Sequence, residues 1–213
     1  MTVAILGKNA YICRTMKHIK NIVFDLGGVV FSRDPRKFEP EFIEFFSYIY
    51  LPQMPHFWEE YDRGTSPLEE VKNYICEHND CSRELCDEYI ATAIDLQEEI
   101  IPTKNLIVQL KAAGYRLYVL SNMSPEFIEF IRQLPVYANF DGEVVSCEEQ
   151  VVKPEPEIFR LLLERYSLNP AECLFIDDRI DNIEASEREG FCGFHFDRNN
   201  PQASCELLKA MLL

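Results

Sequence analysis

The sequence predicts an α/β protein in which a Rossmann-like parallel sheet core carries a small α-helical cap inserted after the first strand. Three observations lead there. Short apolar runs rich in β-branched and aromatic residues alternate with helical stretches along most of the chain, the pattern of a parallel sheet with helices on both faces. The alternation breaks once, over 34–99, where apolar residues recur at helical spacing without a convincing strand. The 213 residues suffice for one such core with a modest insertion, and fall short of two full-sized enzymes.

Taken in order, residues 1–18 are expected to be an N-terminal extension with only a four-residue apolar run, so a secretory signal is not expected there; it reads as a disordered leader or an over-extended start. Met16 is a plausible alternative start. The run NIVFDLGGVVF, from Asn21, is continuously apolar up to an acid and two glycines, as a buried parallel strand ending in a functional loop would be. Over 34–99, Phe42, Phe45, Phe46 and Ile49, then Leu68, Val71, Tyr74 and Ile75, then Leu85, Tyr89 and Ala93 mark helices. Ligands in open α/β sheets bind beyond the carboxyl ends of the strands, so an insertion at this point is placed to cover the site. The core, 19–33, resumes over 100–213. There the runs YRLYVLSN, EVVSC, CLFIDD and FCGFHF read as strands, with helices around 105–112, 125–133, 157–165 and 182–189.

Composition narrows the partners. A formal net charge of -15 repels nucleic-acid backbones and anionic membranes, so a phosphorylated substrate has to meet local positive charge. No uncharged apolar stretch approaches the roughly 20 residues that a bilayer requires. Eight cysteines, several inside apolar runs such as CLFI, read as reduced core thiols and point to the cytoplasm.

Three acids stand at predicted strand ends: Asp25 after NIVF, and Asp177 and Asp178 after CLFI. Carboxylates brought into one crevice do not all ionise cheaply without a cation, and hard oxygen donors favour Mg²⁺. Ser121 and Asn122 follow YRLYVL and offer a hydroxyl and an amide to phosphate oxygens, with Ser124 and Pro125 opening a helix. In VVKPEPE the proline after Lys153 keeps the lysine out of helix, free to direct a cation at the same crevice. Taken singly each feature has a plainer reading, as a helix cap, a turn or a solvated lysine; their order along the chain is what makes the set informative.

The ordered motifs FDLGGVVF, LSNMS, KPEPEIF and FIDDRIDN resemble the haloacid dehalogenase superfamily, in particular its sugar-phosphate phosphatases with a helical cap, over residues 20–196. The cap phrase YDRGTSPLEEV is a softer likeness to relatives with an Arg-Gly pair. The resemblance implies a hydrolase in which Asp25 is the nucleophile and forms an aspartyl-phosphate. It further implies that Ser121 binds the transferring phosphoryl group, with Asn122 beside it, and that Lys153 counters charge on the phosphoryl group and on Asp25. Mg²⁺ would be held by Asp25, the Gly27 carbonyl and Asp178. Asp177 would ligate it or hold one of its waters, and Asp181 or Asn182 would support the metal waters. The implied substrate is a small phosphomonoester, a sugar phosphate, and the implied chemistry is positioning plus charge neutralisation through a covalent carboxylate intermediate.

One position departs from the family pattern. Most of its phosphatases carry a second Asp two residues after the nucleophile as general acid/base, and here Gly27 stands there. Loss of such help costs about 10²–10⁴ in rate, which leaves three outcomes: slow turnover, a substrate or water supplying the proton, or, the favoured expectation, good turnover only with leaving groups that need little protonation, such as an anomeric sugar phosphate. 2-Haloacid dehalogenases also lack the second Asp and are the alternative, but halide displacement needs no metal and leaves Asp177 and Asp178 without purpose. A non-catalytic binding protein on the same fold is a further alternative, and it would be expected to have lost Asp25, Lys153 or Asp178. In the cap, Cys76, His78, Cys81 and Cys86 raise a zinc site, against which their spacing favours helix-packing thiols. Arg33, His56, Trp58 and Arg63 are candidates for substrate contact, with ordinary cap packing as the plainer reading.

Overall fold

A computed structural model describes residues 16–32, 38–47 and 55–213. Five parallel strands form the central sheet: β1 (Asn21–Phe24), β4 (Arg116–Ser121), β5 (Gly142–Val145), β6 (Cys173–Asp177) and β7 (Cys192–His195), in the order β5-β4-β1-β6-β7. β1 is central, with Ile22 aligned to Leu117 on one side and Leu174 on the other. Helices cover both faces of the sheet, which is why NIVF is apolar without alternation. Helices α5 (Ile101–Ala112), α6 (Pro125–Ile131), α8 (Pro156–Tyr166), α9 (Ile180–Arg188) and α10 (Pro201–Leu212), with the short α7 (Ser146–Glu149), complete the core.

Two apolar clusters sandwich the sheet. One joins Ile22, Phe24, Leu117, Val119, Leu174 and Ile176 to α5 and α10 through Ile107, Leu110 and Leu208. The other joins Val23, Tyr118 and Phe175 to Ile158, Phe159 and Leu162 of α8. Phe159 and Phe175 meet edge to face with centroids 5.5 Å apart, a pairing worth about 0.5–1.5 kcal/mol beyond its buried area. Met16, in a 3₁₀ turn before β1, is buried in the first cluster.

Between the core segments lie α1 (Pro40–Phe45), α2 (His56–Arg63), α3 (Leu68–Asn79) and α4 (Arg83–Asp95). They bury a third cluster, including Phe42, Phe46, Trp58, Tyr61, Ile75 and Ile90, which Phe127 of α6 joins. These helices occupy the interval expected to form the cap. Its two connections to the core pair as a short antiparallel ribbon, β2 (Phe31–Ser32) with β3 (Glu98–Glu99).

The structure departs from expectation at three places. The interval expected to lack strands ends in β3, whose two glutamates carry no strand propensity; pairing with β2 and the Ile100 N–H bond to the Val30 carbonyl create it. α5 begins at Ile101, four residues earlier than its apolar spacing suggests, because Pro102 stands in its first turn. α2 was not among the expected helices. Pro55 precedes it, Gly64 at φ 79° ends it, and Trp58 and Tyr61 give it a buried face.

Candidate active site

The carboxyl ends of β1, β4 and β6 deliver Asp25, Ser121, Asp177 and Asp178 to one crevice. Asp25 extends the β1 register, its N–H bonding to the Ile176 carbonyl. Its Oδ1 accepts from the Ser121 hydroxyl at 2.9 Å and from Lys153 Nζ at 2.8 Å. The same Nζ donates to Asp177 Oδ2 at 2.7 Å. Lys153 is thus a buried cation bridging two buried carboxylates. Asp178 completes the group: Asp25, Asp177 and Asp178 each offer an oxygen within 4.8 Å of the others, the one such acidic, His or Cys grouping among the described residues.

Burial pushes the Asp25 carboxyl above its ordinary range, against the pull of Lys153, and the charge of Asp178 adds to the rise. Asp177 is raised likewise, by burial first and then by Asp25, again with Lys153 opposing. Asp178 is raised by burial and by the charge of Asp177. Burial would lower Lys153, but the charges of Asp177 and Asp25 outweigh it and hold the ammonium above its usual value. Three carboxylates outnumber the cations that reach them, Lys153 between Asp25 and Asp177 and Arg198 against Asp178, and a hard cation is the partner that such oxygen donors select.

Several expected residues are brought here for a different purpose. Asn122 makes a reciprocal pair with the Lys153 backbone: its Nδ2 donates to the Lys153 carbonyl at 2.9 Å and its Oδ1 accepts from the Lys153 N–H at 2.7 Å. Its amide anchors the lysine instead of standing free for an anion. Asp177 accepts from Lys153, from the Arg179 N–H and, through both oxygens, from Asn182 Nδ2. Three donors make four contacts with a carboxylate that has about four lone-pair sites, so Asp177 orients Lys153 and the start of α9, and direct ligation would compete with these bonds. Asn182 is committed to Asp177, while Asp181 pairs with Arg179 at 3.4 Å, half exposed.

Asp178 has partners that the sequence did not suggest. Arg198 reaches its Oδ2 at 3.2 Å, and the His195 ring bonds its backbone carbonyl at 2.9 Å. Gly28, at φ 77°, lets the loop after β1 pass close by, since a Cβ there would lie 2.9 Å from Asp178 Oδ2. A Cβ at Gly27 would meet nothing within 4 Å, so the place of the missing second acid is open space.

The last turn of α2 packs against the start of α6 and against α7. Tyr61 is fully buried and donates to Glu126 at 2.6 Å. The Ser146 hydroxyl donates to the Asp62 carbonyl and accepts from the Met123 N–H. The Asp62 carboxyl accepts from the Ser124 N–H, and burial, with the charges of Asp25 and Glu59, pushes it up to about 8. Sequence reading passed Asp62 over. Of the cap candidates, Arg63 forms a two-pronged bond to Glu155 at 2.8 and 3.0 Å and tethers cap to core. Trp58 is buried in the cap cluster and His56 is exposed. Arg33 lies outside the described residues. Cys86 is buried in the cap cluster with Cys76 and Cys81 packed against it, and His78 stacks on Tyr74. Among the described residues no helix is long and apolar enough to cross a membrane.

Known proteins share this architecture. A sesquiterpene phosphatase of Aspergillus oryzae is 25% identical over 200 residues, covering 91% of this chain and 96% of its own. A D-ribitol-5-phosphate phosphatase of Bacteroides thetaiotaomicron is 30% identical over 188 residues, covering 81% and 89%. Among solved structures, a mutant HAD family enzyme of Bacteroides thetaiotaomicron, in complex with magnesium and inorganic phosphate, superposes with a TM-score of 0.69 at 23% identity, over 84% of this chain and 95% of that one. A dehalogenase with an intermediate complex superposes with a TM-score of 0.73 at 14% identity, over 92% and 97%. The family model for haloacid dehalogenase-like hydrolases matches residues 19–190, most of the chain and all of the crevice, and the protein belongs to that family of hydrolases.

Proposed function

We propose that the protein is a Mg²⁺-dependent phosphatase that hydrolyses a small phosphomonoester, a sugar phosphate, through an aspartyl-phosphate on Asp25. The observation that carries this reading is the environment of Asp25 Oδ1, which accepts from both Lys153 and Ser121 beside a third carboxylate, Asp178. Fixing one oxygen by two donors leaves Oδ2 to attack phosphorus. Lys153 neutralises charge on Asp25 and on the incoming phosphoryl group, and Ser121 orients both. Asp25, the Gly27 carbonyl and Asp178 would hold Mg²⁺, and hard oxygen donors fit that ion. When bound it supplies charge neutralisation to the phosphoryl oxygens. Asp177 keeps Lys153 in place, and Asn122 holds the lysine backbone. The named substrates of the two phosphatase relatives, a sesquiterpene and a pentitol derivative, support a phosphorylated small molecule as the substrate class.

Halide displacement is the competing chemistry on this fold. It requires the carboxylate of Asp25 but no cation, and offers no use for Asp178 buried beside it. Phosphate release from a panel of sugar, nucleotide and alkyl phosphates, with Mg²⁺ and with excess chelator, tests the proposal beside the Asp25→Asn protein. Release that needs both metal and Asp25 is the expected result. Halide release from chloroacetate with no phosphate release would overturn it.

A further inference from the structure

Resting on that phosphatase reading, we propose that Asp62 of the cap is the general acid/base that position 27 lacks. During attack by Asp25 the Asp62 carboxyl gives its proton to the leaving oxygen as the P–O bond breaks, so that alcohol departs and Asp62 is left as carboxylate. In the second step that carboxylate takes a proton from the water attacking the aspartyl-phosphate. Asp62 is then a carboxylic acid again, Asp25 a carboxylate, and inorganic phosphate is free. No other co-reactant is needed.

Geometry supports this assignment. The position that ordinarily carries the acid is empty space around Gly27, so a side chain from another element has room beside the leaving group. Asp62 lies near enough to Asp25 for the two charges to act on each other. Its carbonyl is held by the Ser146 hydroxyl and its carboxyl by the Ser124 N–H. Ser124 is three residues beyond Ser121, which bonds Asp25 directly. The adjoining Tyr61 and Arg63 are fastened to Glu126 and Glu155 of the core, and a Cβ at Gly64 would lie 2.3 Å from the Cys147 carbonyl. The last turn of α2 is therefore fixed against the core on every side, as positioning a proton donor demands. Charged and titratable groups facing Asp62 are Asp25 after β1, Glu59 and the Tyr61 phenol from its own helix and the Cys147 thiol from α7; none of these is cationic. Their influence and burial keep the carboxyl protonated at neutral pH, the state that a general acid needs.

The test compares wild type and Asp62→Asn, with Mg²⁺, on ribitol 5-phosphate, whose alkoxide must be protonated to leave, and on 4-nitrophenyl phosphate, whose phenolate leaves unaided. Loss of general acid help lowers kcat on the alkyl phosphate by about 10²–10⁴. The pre-steady-state burst of 4-nitrophenolate keeps its wild-type rate, and the variant then accumulates phosphorylated protein because water attack lacks its base. In wild type, kcat on the alkyl phosphate falls as pH rises past the Asp62 titration while the burst rate does not, a readout that holds even if the variant fails to fold. Equal losses on both substrates, no loss on either, or matching pH profiles would overturn the assignment. Metal- and Asp25-dependent release of 4-nitrophenolate by wild type, together with any of those results, leaves the phosphatase reading standing while Asp62 falls; a wild type inactive on the whole phosphate panel removes both.

Discussion

Lys153→Met is the most informative single perturbation of the core. The substitution keeps most of the side-chain volume but removes a cation 2.8 Å from Asp25 and 2.7 Å from Asp177, with the lysine and Asp177 side chains essentially inaccessible. Breaking a buried ion pair by removing one partner costs about 3–5 kcal/mol, because the other charge stays buried and uncompensated. Against a typical stability of about 5–15 kcal/mol, that is a large fraction. With a urea m-value of about 2 kcal/mol/M, the unfolding midpoint drops by about 1.5–2.5 M. The sign with pH follows from the carboxyls. Asp25 and Asp177 are raised in the fold, and Lys153 holds them back. Without it they rise further, so the native state binds more protons than the unfolded chain and stability falls with rising pH. The deficit at pH 7 therefore exceeds the deficit at pH 5. Adding Asp177→Asn removes one orphaned charge and recovers part of the loss, a non-additivity expected of contacting groups. Urea titrations of the two variants and wild type at both pH values measure all of this. A deficit below about 1 kcal/mol, or one independent of pH, would refute an energetic account built on a buried bridge.

Three further outcomes are expected. Gly28→Ala brings a Cβ to 2.9 Å from Asp178 Oδ2 at a positive φ; displacing that carboxylate raises the Mg²⁺ concentration for half-maximal phosphate release about 10–100-fold, read by a metal titration. Gly64→Ala forces a Cβ onto the Cys147 carbonyl at φ 79° and costs more than about 1 kcal/mol, so amide exchange in α2 speeds up while β4 keeps its protection. Asp62→Asn cannot ionise, whereas the native carboxyl is raised to about 8 from 3.8. Wild type therefore loses stability as pH climbs from about 4 to 8, and the Tm advantage of the variant over wild type grows through that window.

The sheet was legible because its strands are buried on both faces, so NIVF and CLFI are continuous apolar runs bounded by acids. The crevice was legible for a related reason: residues just past parallel strands share one edge of the sheet, and Asp25, Ser121, Asp177 and Asp178 all stand there. Side-chain commitments were not. Asn122 and Asn182 carry the right groups for a phosphate or a metal water, and only packing reveals that the Lys153 backbone and Asp177 already use them. Asp62 was missed for the opposite reason. Nothing in YDRG distinguishes a surface acid from one held by the Ser124 N–H and the Ser146 hydroxyl, and those partners come from distant parts of the sequence. β3 was invisible because two glutamates form a strand only when Phe31 and Ser32 lie opposite. α2 did leave a signal, Pro55 and Gly64 flanking the eight residues HFWEEYDR, and its short length hid it.

The Arg63–Glu155 tether carries a consequence for turnover. Glu155 lies two residues beyond Lys153 on the same loop, and its carboxylate also accepts from the Val152 N–H. The latch of the cap and the seat of the catalytic ammonium are thus one piece of chain. A cap motion that broke this bond would pull on the very loop that seats Lys153, so lifting the cap and loosening the ammonium are linked through one stretch of backbone. The pair is only partly exposed, Arg63 17% and Glu155 39%, so salt screens it incompletely.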